Sequence, residues 1–189
     1  MASSLISSVI GFDDFPFPRS HRGDIQIVGT VYAGLRLDGV ISGRIRRDGA
    51  NATDNLARLI QGSRFASQIR LVMLQGIALG GFNVVDIHGL HLRLNVPVLV
   101  VARRAPDLKA IREALLSKVR GGARKWAMIV QAGEMEAVKG VYVQRAGLTL
   151  REAGKVIERY AVCGKIPEPL RVAHLIAGGV GAGQSRGRA

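Results

Sequence analysis

The sequence predicts an α/β fold: a mixed sheet that opens with an antiparallel three-stranded meander, continues with parallel strands, and is flanked by helices. Three observations predict it. Up to Arg47 the chain reads as short, β-branched runs separated by turn residues. Beyond that point continuous apolar runs alternate with stretches of helical spacing, the pattern of parallel strands covered on both faces. With 189 residues, 48 % hydrophobic and 22 % charged, the chain has enough apolar content for one packed domain and too much for a disordered one. That domain is placed at residues 1–180, followed by a glycine- and arginine-rich tail over 181–189.

The elements follow in order. Ile6 to Phe12 is a short apolar run ending in Asp13-Asp14 and broken by Pro16 and Pro18, which reads as a buried strand. Ile25 to Leu35 and Val40 to Arg47 are the next two strands, with Leu37-Asp38-Gly39 as the hairpin turn between them. Asn51 or Thr53 caps a helix over Asp54 to Phe65, whose Leu56, Leu59 and Ile60 keep helical spacing. Ile69 to Leu74 is a buried strand ending at Gln75-Gly76, and a helix is expected over Asn83 to Leu94. Pro97 opens the strand Val98 to Ala102, followed by a helix over Asp107 to Arg120. Trp126 to Gln131 and Gly140 to Gln144 are read as strands. Thr149 and Glu152 form a capping box, and a last helix begins at Pro167-Pro169 and stops at Gly178-Gly179.

Composition narrows the function. One cysteine, Cys163, excludes an intrachain disulfide and a Cys-rich zinc site, which fits a reducing cytoplasm. No segment reaches the roughly 18–20 apolar residues of a membrane span, and the first residues lack the basic region of a signal peptide. A soluble, cytoplasmic protein is expected, with no membrane partner. Lys and Arg number 27 against 14 acids, giving +13, and 21 of the cations are arginine. The guanidinium fork binds phosphate bidentately, so the expected partner is nucleic acid, DNA or RNA.

Ligands in such sheets gather at the carboxyl ends of parallel strands. Three ends are polar here: Asp13-Asp14, Gln75 and Arg103-Arg104. Asp54 lies at a helix start. Carboxylates brought together from separate segments repel unless a cation lies between them, and hard cations such as Mg²⁺ take oxygen ligands of this kind. Each acid also has a plain structural explanation, in the helix dipole or in turn chemistry. His88 and His91 share a helix but lack a third ligand with motif spacing, His174 is placed on a helix flank, and Cys163 is read as a buried small hydrophobe.

The strings Val9-Ile10-Gly11-Phe12-Asp13-Asp14, Ala52-Thr53-Asp54, Val72-Met73-Leu74-Gln75-Gly76-Ile77, Gly81-Phe82-Asn83-Val84-Val85-Asp86 and Pro97-Val98-Leu99-Val100-Val101 resemble an uncharacterised archaeal protein family. That family is allied to endonuclease V, so the resemblance implies an RNase H-like fold over nearly the whole chain. It implies Asp13 and Asp54 as metal ligands, with Gln75 at the third catalytic position, where the family pattern has Asp. The basic residue following the next strand is matched within Val101-Ala102-Arg103-Arg104. Glutamine offers a carbonyl oxygen but removes one negative charge from a site that needs it to hold two cations. One weakly held Mg²⁺, with Mn²⁺ as surrogate, is therefore expected, and Asp14 or Asp86 is available to compensate.

Arg44, Arg46, Arg47, Arg103 and Arg104 are the expected nucleic-acid contacts, because a backbone track needs cations on either side of the metal site. The resemblance implies a nucleic-acid-binding protein whose nuclease activity is weak or lost; the alternative is an active Mg²⁺-dependent endonuclease.

Overall fold

The computed structural model describes residues 6–185. Its centre is a seven-stranded mixed sheet built from β1 (Ser8–Asp14), β2 (Asp24–Ala33), β3 (Arg36–Arg46), β4 (Val72–Gln75), β7 (Val98–Ala102), β8 (Glu136–Val138) and β9 (Val141–Ala146). The spatial order is β3-β2-β1-β4-β7-β9-β8. β1, β2 and β3 form the antiparallel meander, β4 runs parallel to β1, and β7 runs parallel to β4. β9 then reverses direction against β7. The carboxyl ends of β1, β4 and β7 consequently share one edge with the end of β3 and the start of β2.

Both faces are covered. Helices α1 (Ala52–Gln61) and α2 (Ile87–Leu94) bury Leu56, Ile60, Ile87 and Leu90 against Ile10, Phe12, Val72, Leu74 and Val100. On the opposite face α5 (Leu150–Tyr160) and α6 (Glu168–Ala182) bury Val156, Ile157, Tyr160 and Leu170 against Val9, Met73, Leu99 and Val101. Successive strand side chains alternate between these two layers, which is why β4 and β7 carry no polar residue before their ends. A third layer, α3 (Leu108–Lys118) and α4 (Gly122–Gln131), packs Leu115 and Ile129 onto Val84 of a small hairpin, β5 (Ala78–Leu79) and β6 (Asn83–Val84).

The close seat of α6 has a local cause. A side chain at Gly11 would bring its Cβ to 2.6 Å from the Pro169 backbone. Thr30 Oγ1 donates to Pro169 O at 2.6 Å, so β1 and β2 together hold the start of the last helix. Thr149 and Glu152 form the expected capping box at α5.

Several expectations are corrected. The β2–β3 turn is at Gly34-Leu35, where Gly34 has φ +59°, and Asp38-Gly39 lies inside β3 at an irregularity in register. Gly39 is needed there for space rather than for backbone angle, since a Cβ would run into the Phe65 ring, and the extra residue Asp38 forms the bulge. Residues 78–84 form the small hairpin, and α2 starts only after Asp86, whose side chain accepts from Gly89 N. Trp126 to Gln131 is helical: Lys125 and Ile129, four apart, are the buried pair, and Val130 is exposed, a 3.6-residue period hidden in an apolar run. Asn51 holds the N-cap position of α1, as expected, but neither its side chain nor that of Thr53 makes the cap hydrogen bond. Buried Asn83 does so across space, its Oδ1 accepting from Ala52 N at 3.0 Å while its amide donates to Arg46 O and Asn51 Oδ1. The last helix runs past Gly178-Gly179 to Ala182, and residues 186–189 of the expected tail lie outside the described residues.

Candidate active site

Among the described residues Asp13 is the one buried acidic side chain, 6 % exposed at the end of β1. It faces α6. His174 Nδ1 lies 2.8 Å from Asp13 Oδ2, and Asp14 N donates to Asp13 Oδ1 at 2.9 Å. Burial pushes the Asp13 carboxyl above its usual range, opposed chiefly by the hydrogen bond to His174. Asp14 points to the other face of the sheet, where its carboxylate accepts from Gly80 N in the β5–β6 turn. Burial and the neighbouring Asp13 charge push Asp14 up to about 6.

Gln75 ends β4. Gly11 pairs with Met73 and Phe12 with Leu74 in the parallel register, so the next step sets Gln75 beside Asp13 on the same face. Its Oε1 is buried with no hydrogen-bond partner. Such an orphan acceptor is rare in a folded chain and invites a cation or a donor from a ligand.

Asp54 is not brought to this pair. It sits on the exposed side of α1, across the sheet from α6, and forms an ion pair with Arg93 of α2. The reason is the side of the sheet that α1 covers: Ala52, Leu56, Ala57 and Ile60 face the core, leaving Asp54 turned outward. Asp86 is spent as the α2 cap, and His88 and His91 are bonded to the carbonyls of Gln131 and Val96. Among the described residues no three His, Cys, Asp or Glu side chains are arranged to hold a metal. Cys163 is exposed, not buried.

His174 is the residue that sequence reasoning missed. The signal was present in small residues: Ala173 and Ala177 on α6 and Gly11 on β1 allow a helix to lie close over the strand, and His174 rides on that helix beside them.

Arg44, Arg46, Arg103 and Arg104 are exposed. Arg46 ends β3 and Arg47 follows it, and Arg103 and Arg104 follow β7, so these four lie at the sheet edge that carries Asp13 and Gln75. Arg44 stands two residues further into β3, on the same face as Arg46. Beside Gly76 opens an apolar cavity of about 240 Å³ walled by Phe82, Leu108, Ile111, Ile129 and Met135. Its one long polar side chain is Gln144, 4 % exposed, whose Nε2 donates to Gly133 O at 2.6 Å.

The family model described as endonuclease dU matches residues 6–181. The chain belongs to the endonuclease dU family. A UPF0215 protein of Deinococcus radiodurans is 60 % identical over 97 % of this chain and 93 % of its own. The UPF0215 protein of Methanothermobacter thermautotrophicus is 40 % identical over 96 % and 91 %, so the family reaches beyond the archaea. A crystal structure of a protein of unknown function from Archaeoglobus fulgidus superposes with a TM-score of 0.85, at 35 % identity, covering 92 % of this chain and 97 % of that one. Human endonuclease V superposes with a TM-score of 0.55 at 15 % identity, covering 91 % and 83 %. That likeness concerns the fold: endonuclease dU members share the RNase H-like sheet of endonuclease V. Among the described residues no helix is long and apolar enough to cross a membrane.

Proposed function

We propose that this protein binds nucleic acid and carries a weakened, one-cation form of a phosphodiester-hydrolysing site whose target is DNA containing deoxyuridine, the nucleoside in the family's description. The observation that carries this reading is the buried Asp13, paired with His174 and set beside the orphaned Oε1 of Gln75. One carboxylate and one neutral carbonyl fit a single divalent cation and supply too little negative charge for two. Asp13 and Gln75 would hold Mg²⁺ or Mn²⁺, which supplies Lewis-acid polarisation of a phosphoryl oxygen and a more acidic bound water.

The chain's own residues do the rest. Asp13 fixes the His174 ring through Nδ1, leaving Nε2 to take a proton from the attacking water or return it to the departing ester oxygen. The water oxygen bonds to phosphorus as the P–O ester bond breaks. The exposed arginines along the same edge hold backbone phosphates. The apolar cavity beside Gly76 suits a small planar ring turned out of the helix, and Gln144, its amide engaged by Gly133, offers Oε1 to a ring N–H such as uracil N3–H. His174 also favours the second reading, a fully active endonuclease, because it adds a third functional group where the acids alone fall short.

The test is single-turnover cleavage of a deoxyuridine-containing duplex with Mg²⁺ or Mn²⁺, with metal affinity read by calorimetry. The parent is expected to bind metal weakly and cut slowly, Gln75→Asp to gain in both, and Asp13→Ala to lose cleavage. Fast cleavage by the parent with no gain in Gln75→Asp establishes the second reading. A parent that binds no nucleic acid overturns both.

A further inference from the structure

A second pocket lies at the same edge of the sheet, on the other side of the β5–β6 turn. It is concave, has a volume of about 350 Å³, and is walled almost wholly by polar groups: Arg19, Arg22, Arg46, Arg47, Asp48 and Lys118. These residues come from three separate parts of the chain, the loop after β1, the end of β3 and the end of α3.

Five cations converge there and little opposes them. Asp48, the one acid in the wall, is engaged by Arg47 at 3.1 Å and by Phe82 N at 2.8 Å. Asp24 reaches Arg46 only at 3.7 Å, both side chains more than half exposed, a pair of small energetic weight. Arg19, Arg22 and Lys118 form no ion pair among the described residues. An exposed basic surface of this size would ordinarily be left to solvent. A concave wall of one sign focuses its field instead, and concentrates counter-anions within it.

The frame around the pocket is fixed. Arg47 donates to Arg19 O at 2.6 Å and to His21 O, and its guanidinium lies 5.4 Å from the Phe17 ring centroid. Arg47 N donates to Gly23 O and Asp48 N to Gly80 O, both at 2.9 Å. Beneath them the buried Lys125 amine donates to Asp48 O. Arg47 is thus a brace, and Arg22 is partly one, since its Nη1 donates to the carbonyls of Arg19, Ser20 and His21; Arg19 and Lys118 keep their side-chain donors for a ligand. Gly80, which bonds Asp48 by its carbonyl and Asp14 by its N–H, links this pocket to the end of β1.

We infer that this pocket seats a backbone phosphodiester of the bound nucleic acid other than the one at Asp13. The inference rests on the nucleic-acid reading above and deepens it by naming where the strand is anchored. Guanidinium groups grip phosphate oxygens through paired N–H donors, and a fixed pocket loses little entropy on doing so. Asp48 of this cleft accepts from the N–H of Phe82, which with Gly81 lines the apolar cavity, so a phosphate and an extruded base would lie on either side of that hydrogen bond.

The test is the salt dependence of binding to a fluorescent deoxyuridine duplex. Arg19→Ala combined with Lys118→Ala removes two exposed side chains that brace nothing. Each phosphate contact contributes about one to the slope of log K against log salt, so the slope is expected to fall by about two, with affinity about tenfold lower or more at ~0.1 M salt. Lys155→Ala with Lys165→Ala makes the same change in net charge elsewhere and is expected to leave the slope unaltered. If the two pairs lower the slope equally, bulk charge explains the effect and the pocket is overturned. The same holds if Arg19→Ala/Lys118→Ala binds like the parent, and the nucleic-acid reading then survives. If inorganic phosphate below 1 mM raises the parent's Tm while the duplex slope is unmoved by Arg19→Ala/Lys118→Ala, the pocket serves a free anion and the inference also fails. A parent that binds no duplex removes the nucleic-acid reading itself.

Discussion

His174 Nδ1 lies 2.8 Å from Asp13 Oδ2, and this contact joins the middle of the last helix to the end of the first strand, 161 residues apart in sequence. Removing either partner leaves the other with an unmet need in a largely buried place. His174→Ala is expected to cost on the order of 1–3 kcal/mol, because the Asp13 carboxyl keeps its burial and loses its chief partner. Urea denaturation of His174→Ala, Asp13→Asn and the double variant reads the coupling. Additive losses would show the contact to be incidental.

Asp14 gives stability a dependence on pH. Burial and the neighbouring Asp13 raise this carboxyl from its ordinary 3.8 to about 6 in the fold. Below about 4 both folded and unfolded chains hold the proton, so there is no penalty. Between about 4 and 6 the native state retains a proton that the unfolded chain releases, and stability declines as pH rises. Asp14→Asn, which keeps an acceptor for Gly80 N, is expected to be more stable than the parent above pH 6 by on the order of 1–2 kcal/mol. The difference should vanish near pH 4. Denaturation midpoints across that range check it, and a constant difference at every pH would rule out the carboxyl as its source.

Arg103 and Arg104 are exposed at the end of β7 and form no ion pair among the described residues. Replacing both with alanine is expected to weaken duplex binding uniformly across sequences and to flatten its salt slope by about two. Native stability should stay within about 0.5 kcal/mol of the parent. An unchanged slope would place the strand elsewhere on the surface.

Gln144 supplies the polar group of the apolar cavity. Gln144→Leu keeps the volume and removes the acceptor, so preference for deoxyuridine over an abasic analogue is expected to fall roughly tenfold or more, with non-specific duplex affinity unchanged. Competition binding with the two duplexes measures this. Equal loss of affinity for both would mean that the change disturbs the cavity wall through the Gln144–Gly133 bond rather than base reading.

The sheet was legible because its signals are local. Val98 to Ala102 is a strand with the boundaries expected from its apolar run, and Thr149 and Glu152 cap α5 through side chains three residues apart. The meander matches its sequence signals in number and direction, but its turn lies at Gly34-Leu35 rather than Asp38-Gly39, because a bulge and a hairpin draw on the same residues. The site was harder. Asp13 and Gln75 come together through parallel pairing of β1 and β4, which the strand-end rule anticipates. Asp54 does not join them, because order along the chain says nothing about which face of the sheet α1 covers. His174 escaped notice because its partner is 161 residues away and no spacing rule spans that interval.

The docking of α6 sets the order in which the molecule can become functional during its own synthesis. Thr30 and Gly11 wait for Pro169, and Asp13 waits for His174. A growing chain can pair β1, β2 and β3 early, since their contacts are near neighbours. One face of that sheet stays bare until the last helix leaves the ribosome, and the aspartate remains without its histidine throughout. A partly made copy therefore has the arginines of β3 in place while the Asp13–His174 pair is still unmade.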